Sequence, residues 1–357
     1  MKTRRFAFLF TVFAAFVFGC NAGKPSFDKP PVKKVPLVYS SGYNIGFLGL
    51  QRLHSFDTKK YKNVVKALLR DCGITRKQFH KPTIVTNKEL ELVHSKEYFE
   101  LLKDNTIVGE IAELKPYGVN ILSYIPNFLN CMIQRSLLNP MRLATGGTLL
   151  AAELALENEK AAVNIGGGYH HAKKESGSGF CFFGDIQFAV EKLWQKNPNL
   201  KVMIVDLDAH QGNGHEDYFK GDKRISIFDV YSYDVYSHNY PDDKEAKQYI
   251  TYDYPVRVKI QDEEYLKIVD KLRGAVAESM PDLIIYNAGT DPFEEDELGR
   301  MCITKEGLIE RDEKVFKFAR ENNVPVCMVT SGGYSKESAG IIADSLKNLM
   351  LKDYLDC

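Results

Sequence analysis

The sequence has no net charge to offer a polyanion. Its 357 residues carry 47 lysines and arginines against 47 aspartates and glutamates, so no general field exists to hold a phosphate backbone or an anionic membrane surface. Nucleic acid is not an expected partner. Cysteine is scarce and unpatterned: apart from Cys20 there are six, with no Cys-x-x-Cys spacing, which argues against a disulfide-framed small domain and leaves buried thiols as the expectation, Cys181 and Cys327 among them. Neither Gly146-Gly147 nor Gly332-Gly333 is set in the Gly-rich, Lys-Ser or Lys-Thr spacing that cradles a phosphate, so no nucleotide cofactor is implied. The N-terminal apolar run, Phe6 to Phe18, is too short to span a bilayer comfortably.

That run follows Lys2, Arg4 and Arg5 and reads as a secretion signal. Val17-Phe18-Gly19-Cys20 resembles a bacterial lipobox with an awkward Phe18. Cleavage before Cys20 would expose a thiol for lipid attachment and place the protein in a bacterial cell envelope, membrane-anchored and facing the periplasm or the outside. An ordinary signal peptide or an uncleaved anchor is the alternative. Asn21 to Pro36 holds four of the fourteen prolines and several lysines, the composition of an extended tether. The expected organisation is a signal over 1–20, a tether over 21–34 and one catalytic domain over 35–357.

A hydrophobic content of 44% over this length supports a large core. Apolar runs at Ala162 to Ile165, Lys201 to Leu207, Ile225 to Val230, Asp282 to Asn287 and Val324 to Thr330 predict buried parallel strands. Asp185 to Gln195, Asp262 to Met280 and Lys305 to Asn322 show the three- and four-residue spacing of helices that cover a sheet. The class is α/β: one domain, an open parallel sheet with helices on both faces.

Four short segments end on residues that bind or polarise: Gly166 to His171, Asp206 to Asn213, Asn287 to Asp291 and Ser331 to Tyr334. Each follows a predicted strand, at the edge where open parallel sheets bind ligands. In an extended strand end, Asp206, Asp208 and His210 share one side. Asp208 and His210 can then reach one ion, and Asp291 brings a third ligand from another strand. Two carboxylates and one imidazole leave a coordination position open. Gly212 and Phe293 stand two residues after His210 and Asp291, where a second, bridging carboxylate set would be needed. One ion is expected, zinc favoured and ferrous iron open, because the mixed set does not select strongly. His170 and His171 offer proton transfer, and Tyr334 a hydroxyl donor for an oxyanion.

Together Tyr43-Asn44-Ile45, Gly49-Leu50-Gln51-Arg52-Leu53-His54, Gly166 to His171, Gly179-Phe180-Cys181, Asp206 to His215, Tyr286 to Asp291 and Ser331 to Tyr334 resemble a class IV histone deacetylase of the deacetylase/arginase superfamily. The resemblance spans nearly the whole chain after the tether. It implies the arginase/deacetylase fold, zinc on Asp208, His210 and Asp291, and a monovalent cation such as K+. It also implies His171 as general base oriented by Asn213, His170 oriented by Asp206 and acting electrostatically, and Tyr334 on the oxyanion. Many deacetylases place Asp where Asn213 stands, so modest rates on acetyl-lysine are expected. Gly179 would offer its carbonyl to the substrate lysine NH and Phe180 one wall of an acyl-lysine channel. Tyr240 is chosen for the opposite wall, with Tyr231 and Tyr236 as competitors, because Asp229-Val230-Tyr231-Ser232 recurs as Asp234-Val235-Tyr236-Ser237 and lengthens this loop.

The implied activity is removal of an acetyl or long fatty acyl group from lysine in a protein or peptide. An acylated polyamine, drawn by Asp242, Asp243 and Glu294 to Glu297, is the alternative substrate, and a non-catalytic binder of acylated ligands the third reading. His94 is expected to cap or pack a helix, His80, His215 and His238 likewise. His54 falls at the pocket rim or on the surface.

Overall fold

The computed structural model describes residues 35–46, 56–114, 120–158, 160–236 and 243–355. The signal, Cys20, the tether, His54, His238, Tyr240 and Asp242 lie outside the described residues. No described helix is long and apolar enough to cross a membrane.

Seven strands form one parallel sheet: β1 (Leu37–Val38), β2 (Ala161–Asn164), β3 (Val202–Asp206), β4 (Ile225–Ser232), β5 (Tyr252–Val256), β6 (Leu283–Asn287) and β7 (Val326–Val329), in the order β1-β2-β7-β6-β3-β4-β5. The five strands expected from apolar runs are all present, within a residue or two of the expected ends. Alternation along β3 explains why both faces must be covered. Val202 and Ile204 enter one apolar cluster and Met203 and Val205 the other, and all four are buried.

Helices Asn139–Asn158 and Asp185–Lys196 pack together and seal the first face with Ala151, Ala155, Ile186, Val190 and Leu193. Lys60–Asp71, Lys305–Glu321 and Ser338–Leu351 cover the second through Val64, Leu68, Leu308, Val315, Ile341 and Leu346. The helix expected over Asp262 to Met280 is two, Asp262–Val269 and Leu272–Ser279. At the joint the hydrogen bonds shorten to the three-residue pattern, Lys271 N to Ile268 O at 3.0 Å and Gly274 N to Lys271 O at 3.1 Å. A tightened turn there still keeps Val269, Leu272 and Val276 on the core side.

The edge strand β5 carries Pro255, whose missing N–H is tolerated at a sheet edge. Gly146 and Gly147 lie inside the helix Asn139–Asn158, where a β-carbon would collide with Thr83 O and the Tyr43 hydroxyl. They serve close packing. Cys181 and Cys327 are buried as expected, but Cys131 is exposed and Cys72 and Cys302 are half-buried, because these three sit outside the sheet core.

One buried ion pair ties the second face to the sheet. Arg311 donates to Leu207 O at 3.1 Å and Gly289 O at 2.7 Å, and to Asp312 at 2.9 Å; Asp312 in turn accepts from the hydroxyls of Tyr286 and Ser345. Both charges are shielded from solvent. Removing one partner leaves the other uncompensated in a low dielectric, so Asp312→Ala is expected to lose about 3–5 kcal/mol in urea unfolding. A loss within error of zero would mean that water compensates Arg311.

Candidate metal centre

The four motif segments, spread over the sequence from Gly166 to Tyr334, leave the C-terminal ends of β2, β7, β6 and β3, which are neighbours in the sheet. Adjacency in the strand order turns distance along the chain into one site. The Nδ1 atom of His210 lies 3.1 Å from Asp208 Oδ1 and 2.9 Å from Asp291 Oδ2, and one ligand atom from each of the three falls within 4.8 Å of the others. All three are buried.

Each ligand is itself held. Asp208 Oδ2 accepts from Gly332 N and Ser331 Oγ, both at 3.1 Å, and Asp291 Oδ1 accepts from Ala209 N at 2.8 Å. Backbone approach this close is why residue 332 is glycine: a β-carbon would sit 2.5 Å from Asp208 Oδ2 and 2.7 Å from Asp291 Oδ2. Burial and the charge of Asp208 push the Asp291 carboxyl up to about 7. Burial opposes a charge on His210, yet its bonds to Asp208 and Asp291 hold its pKa well above the ordinary imidazole range. Two buried carboxylates thus compete for one proton-sized positive charge, and a divalent cation fits the same donors while neutralising both.

Beside this set the two histidines stack with ring centres 4.0 Å apart. His170 Nδ1 lies 2.9 Å from Asp206 Oδ2. Burial works against its charge, but Asp206 and Asp208 together push its pKa up to about 9. His171 Nδ1 lies 2.9 Å from Asn213 Oδ1, a carbonyl-type acceptor, so Nδ1 carries the proton and Nε2 keeps its lone pair. Burial, then the charges of His170 and His210, drive the His171 pKa well below the usual value. The two neighbouring imidazoles are thus pushed in opposite directions. The Tyr334 ring is edge-on to His210, centres 6.1 Å apart. Burial and the Asp291 and Asp208 charges keep its phenol protonated.

A cavity of about 30 Å³ reaches Asp208, His170 and Tyr334 and is lined as well by Phe56, Tyr61, Tyr169 and Phe180. Gly179 and Phe180 both border it, with φ of +53° and +61°. Phe180 therefore holds a left-handed backbone that a bulky residue rarely adopts, strain of the kind found at ligand clamps. Gly179 cannot be replaced cheaply, since its β-carbon would run into the His171 ring.

Phe56, which the sequence analysis missed, packs directly against Phe180, ring centres 5.2 Å apart, and borders the same cavity. Tyr231 is not a wall: it is buried in the first-face cluster and donates to Asp253 at 2.9 Å, because β4 points it away from the site. Tyr240, the expected wall, lies outside the described residues.

Three more residues have roles that the sequence reading did not assign. Asp296 accepts from Tyr334 N at 2.6 Å and Ser335 N at 3.1 Å and so fixes the tyrosine. Asp185 accepts from Gly168 N and Tyr169 N at 2.8 and 2.7 Å and shapes the loop before the histidines. The third, Asn287, donates to Asp206 Oδ1 at 2.9 Å. Only their place beside glycines or at a strand end could have pointed to them.

His94 behaves as expected, accepting from Gly184 N at 3.0 Å in a buried position. His215 is likewise buried in its helix, and it also groups with Asp206 and Asp229, ligand atoms within 4.8 Å, all buried. Both nitrogens of His215, Asp229 Oδ1, Glu216 Oε1 and Ser232 Oγ lack a hydrogen-bond partner. Burial, with Asp206 and Glu216 nearby, raises the Asp229 carboxyl well above its normal range. A second cation fits these orphaned oxygens.

Residues 54–350 match the histone deacetylase domain family. The chain is 43% identical over 320 residues to histone deacetylase 2 of Arabidopsis thaliana, covering 89% of this chain and 79% of that protein. An uncharacterized protein of Picosynechococcus is 30% identical over 304 residues, 84% of this chain and 92% of its own. A crystal structure of the HDA15 HD domain superposes with a TM-score of 0.67 at 18% identity, covering 90% of this chain and 89% of that one. At that identity the likeness speaks for the fold.

Proposed function

The chain belongs to the histone deacetylase domain family, and on that footing we propose that it is a zinc-dependent amidohydrolase that removes a short acyl group from a lysine side chain. The observation that carries this reading is the buried set Asp208, His210 and Asp291, with the His171 and Tyr334 rings each centred 6.1 Å from that of His210. Asp208, His210 and Asp291 would hold the ion, which would supply polarisation of an amide carbonyl and acidification of water into the neutral range. Ferrous iron suits the same donors. The orphaned oxygens at Asp229 suit the monovalent cation, such as K+, that the family resemblance implies.

In this reading His171 Nε2 takes the proton of the attacking water and later returns it to the leaving lysine amine. His170, held by Asp206, contributes a fixed positive charge, and the Tyr334 hydroxyl donates to the oxyanion. Asn213 orients His171 without a charge of its own, which favours a class IV type of site with modest turnover. Phe180 would form one wall for the lysine stem, and Gly179 O would accept from the lysine NH. The roughly 30 Å³ of free space favours acetyl over a long fatty chain.

One feature supports a second substrate class. A recess of about 350 Å³ shares Tyr334 with the site and is lined by Glu295 and Glu297 against one cation, Lys336, so a weak net negative charge could draw an acylated polyamine to it. The binder reading has no comparable support. We also propose a bacterial, envelope-anchored protein, motivated by the lipobox-like Val17 to Cys20.

Tyr334→Phe is expected to cut kcat by about 100- to 1000-fold with zinc still bound; retained turnover would remove the tyrosine from the chemistry. On matched substrates, an acetyl-lysine peptide should be hydrolysed faster than a myristoyl-lysine peptide or acetylputrescine. Preference for myristate would require Phe56 or Tyr61 to move, and preference for acetylputrescine would favour the acidic recess. Radiolabelled palmitate fed to expressing bacteria should enter the wild-type chain and not Cys20→Ser; equal labelling would reject lipidation at Cys20.

A further inference from the structure

The helix Lys60–Asp71 opens on a lysine that is 1% exposed. Its ammonium lies 4.5 Å from the centre of the Phe56 ring and 5.4 Å from that of Tyr61. It donates to Ser331 O at 2.7 Å and Gly332 O at 2.8 Å, with Gly333 O at 3.5 Å. Among the described residues it makes no ion pair, in contrast to Arg311 with its Asp312. A buried ammonium without a carboxylate is costly. Burial accordingly pulls its pKa down to about 8, against the opposing pull of Asp291 and Asp208.

What it gains lies at the other end of the peptide it grips. The Ser331 carbonyl and the Gly332 N–H belong to one planar unit. The carbonyl accepts from Lys60, and the N–H donates to Asp208 Oδ2 at 3.1 Å. Hydrogen bonds in series polarise one another, so the charge on Lys60 strengthens the bond that aims a ligand carboxylate. The same two carbonyls stand immediately before Gly333, at φ +120°, and Tyr334. Backbone in that region is poorly self-supporting.

We propose that Lys60 is a positioning residue of the metal centre, acting through the Ser331–Gly332 peptide to hold Asp208 in its ligating orientation and the Tyr334 loop in register. The inference rests on the metal-centre reading of the site.

Lys60→Met keeps the stem between the rings and removes the charge and the donors. In the full chain, zinc affinity is read by competition with a chromophoric chelator, kcat and KM on an acetyl-lysine peptide, and melting of the metal-depleted form by circular dichroism. The Met variant should melt slightly below the wild type, since losing a desolvated charge offsets only part of the cost of leaving the Ser331 and Gly332 carbonyls without a donor, while zinc affinity falls about 10- to 100-fold. The kcat should fall with little change in KM, and Lys60→Arg should recover both losses in large part. A Met variant with wild-type zinc affinity and kcat overturns the inference. So does a loss that tracks an equal loss of melting temperature and is not recovered by Arg. A wild-type chain that binds no zinc overturns the reading of the site as well. Should the Met variant not fold, Lys60→Arg decides: zinc retained supports the role, and a folded Arg variant without zinc rejects it.

Discussion

Two like charges, Asp208 and Asp291, are buried side by side with one imidazole between them, and water cannot relieve their repulsion there. Everything around them serves to make that burial tolerable. Backbone N–H groups of Ala209 and Gly332 point at the outer oxygens. His170 turns its charge toward Asp208, with Nε2 3.7 Å from Oδ1. Arg311 and Lys60 grip the carbonyls of the ligand loops from behind. A cation on the three ligands would complete the balance.

The sheet makes this concentration of charge affordable to position. Strands β2, β7, β6 and β3 lie side by side, and the parallel arrangement sends all four of their C-terminal loops to one edge. Rigid strands, covered on both faces, then hold His170, Tyr334, Asp291 and Asp208 without relying on long loops. Backbone strain at Phe180 and close packing at Gly332 and Gly179 are local costs carried by that scaffold.

Much of this was legible in the residues. The five central strands are continuous apolar runs, and each ligand motif follows such a run directly, so both fold class and ligand set could be read before any coordinates. The edge strands were not: β1 is two residues long and β5 is half exposed with a proline, so neither shows a buried run. The helix Asn139–Asn158 was equally hidden, because it is buried over most of its surface and has no polar face to set the period. Residues that act from outside the motifs, Phe56, Lys60, Asp185 and Asp296, reach the site only through tertiary packing. A lysine at a helix start ordinarily reads as solvated, and nothing local in Thr58-Lys59-Lys60-Tyr61 says that one of two lysines turns inward. The grouping of His215 was hidden for a similar reason, since its partner Asp229 comes from another strand.

The most direct measurement is acetate release from an acetyl-lysine peptide by the full chain stripped of metal and then titrated with zinc. The account predicts no turnover in the stripped chain and recovery that saturates at about one ion per chain, with acetate and free lysine formed in equal amounts. Turnover that persists without any metal, or zinc bound at that stoichiometry with no product formed, would contradict it.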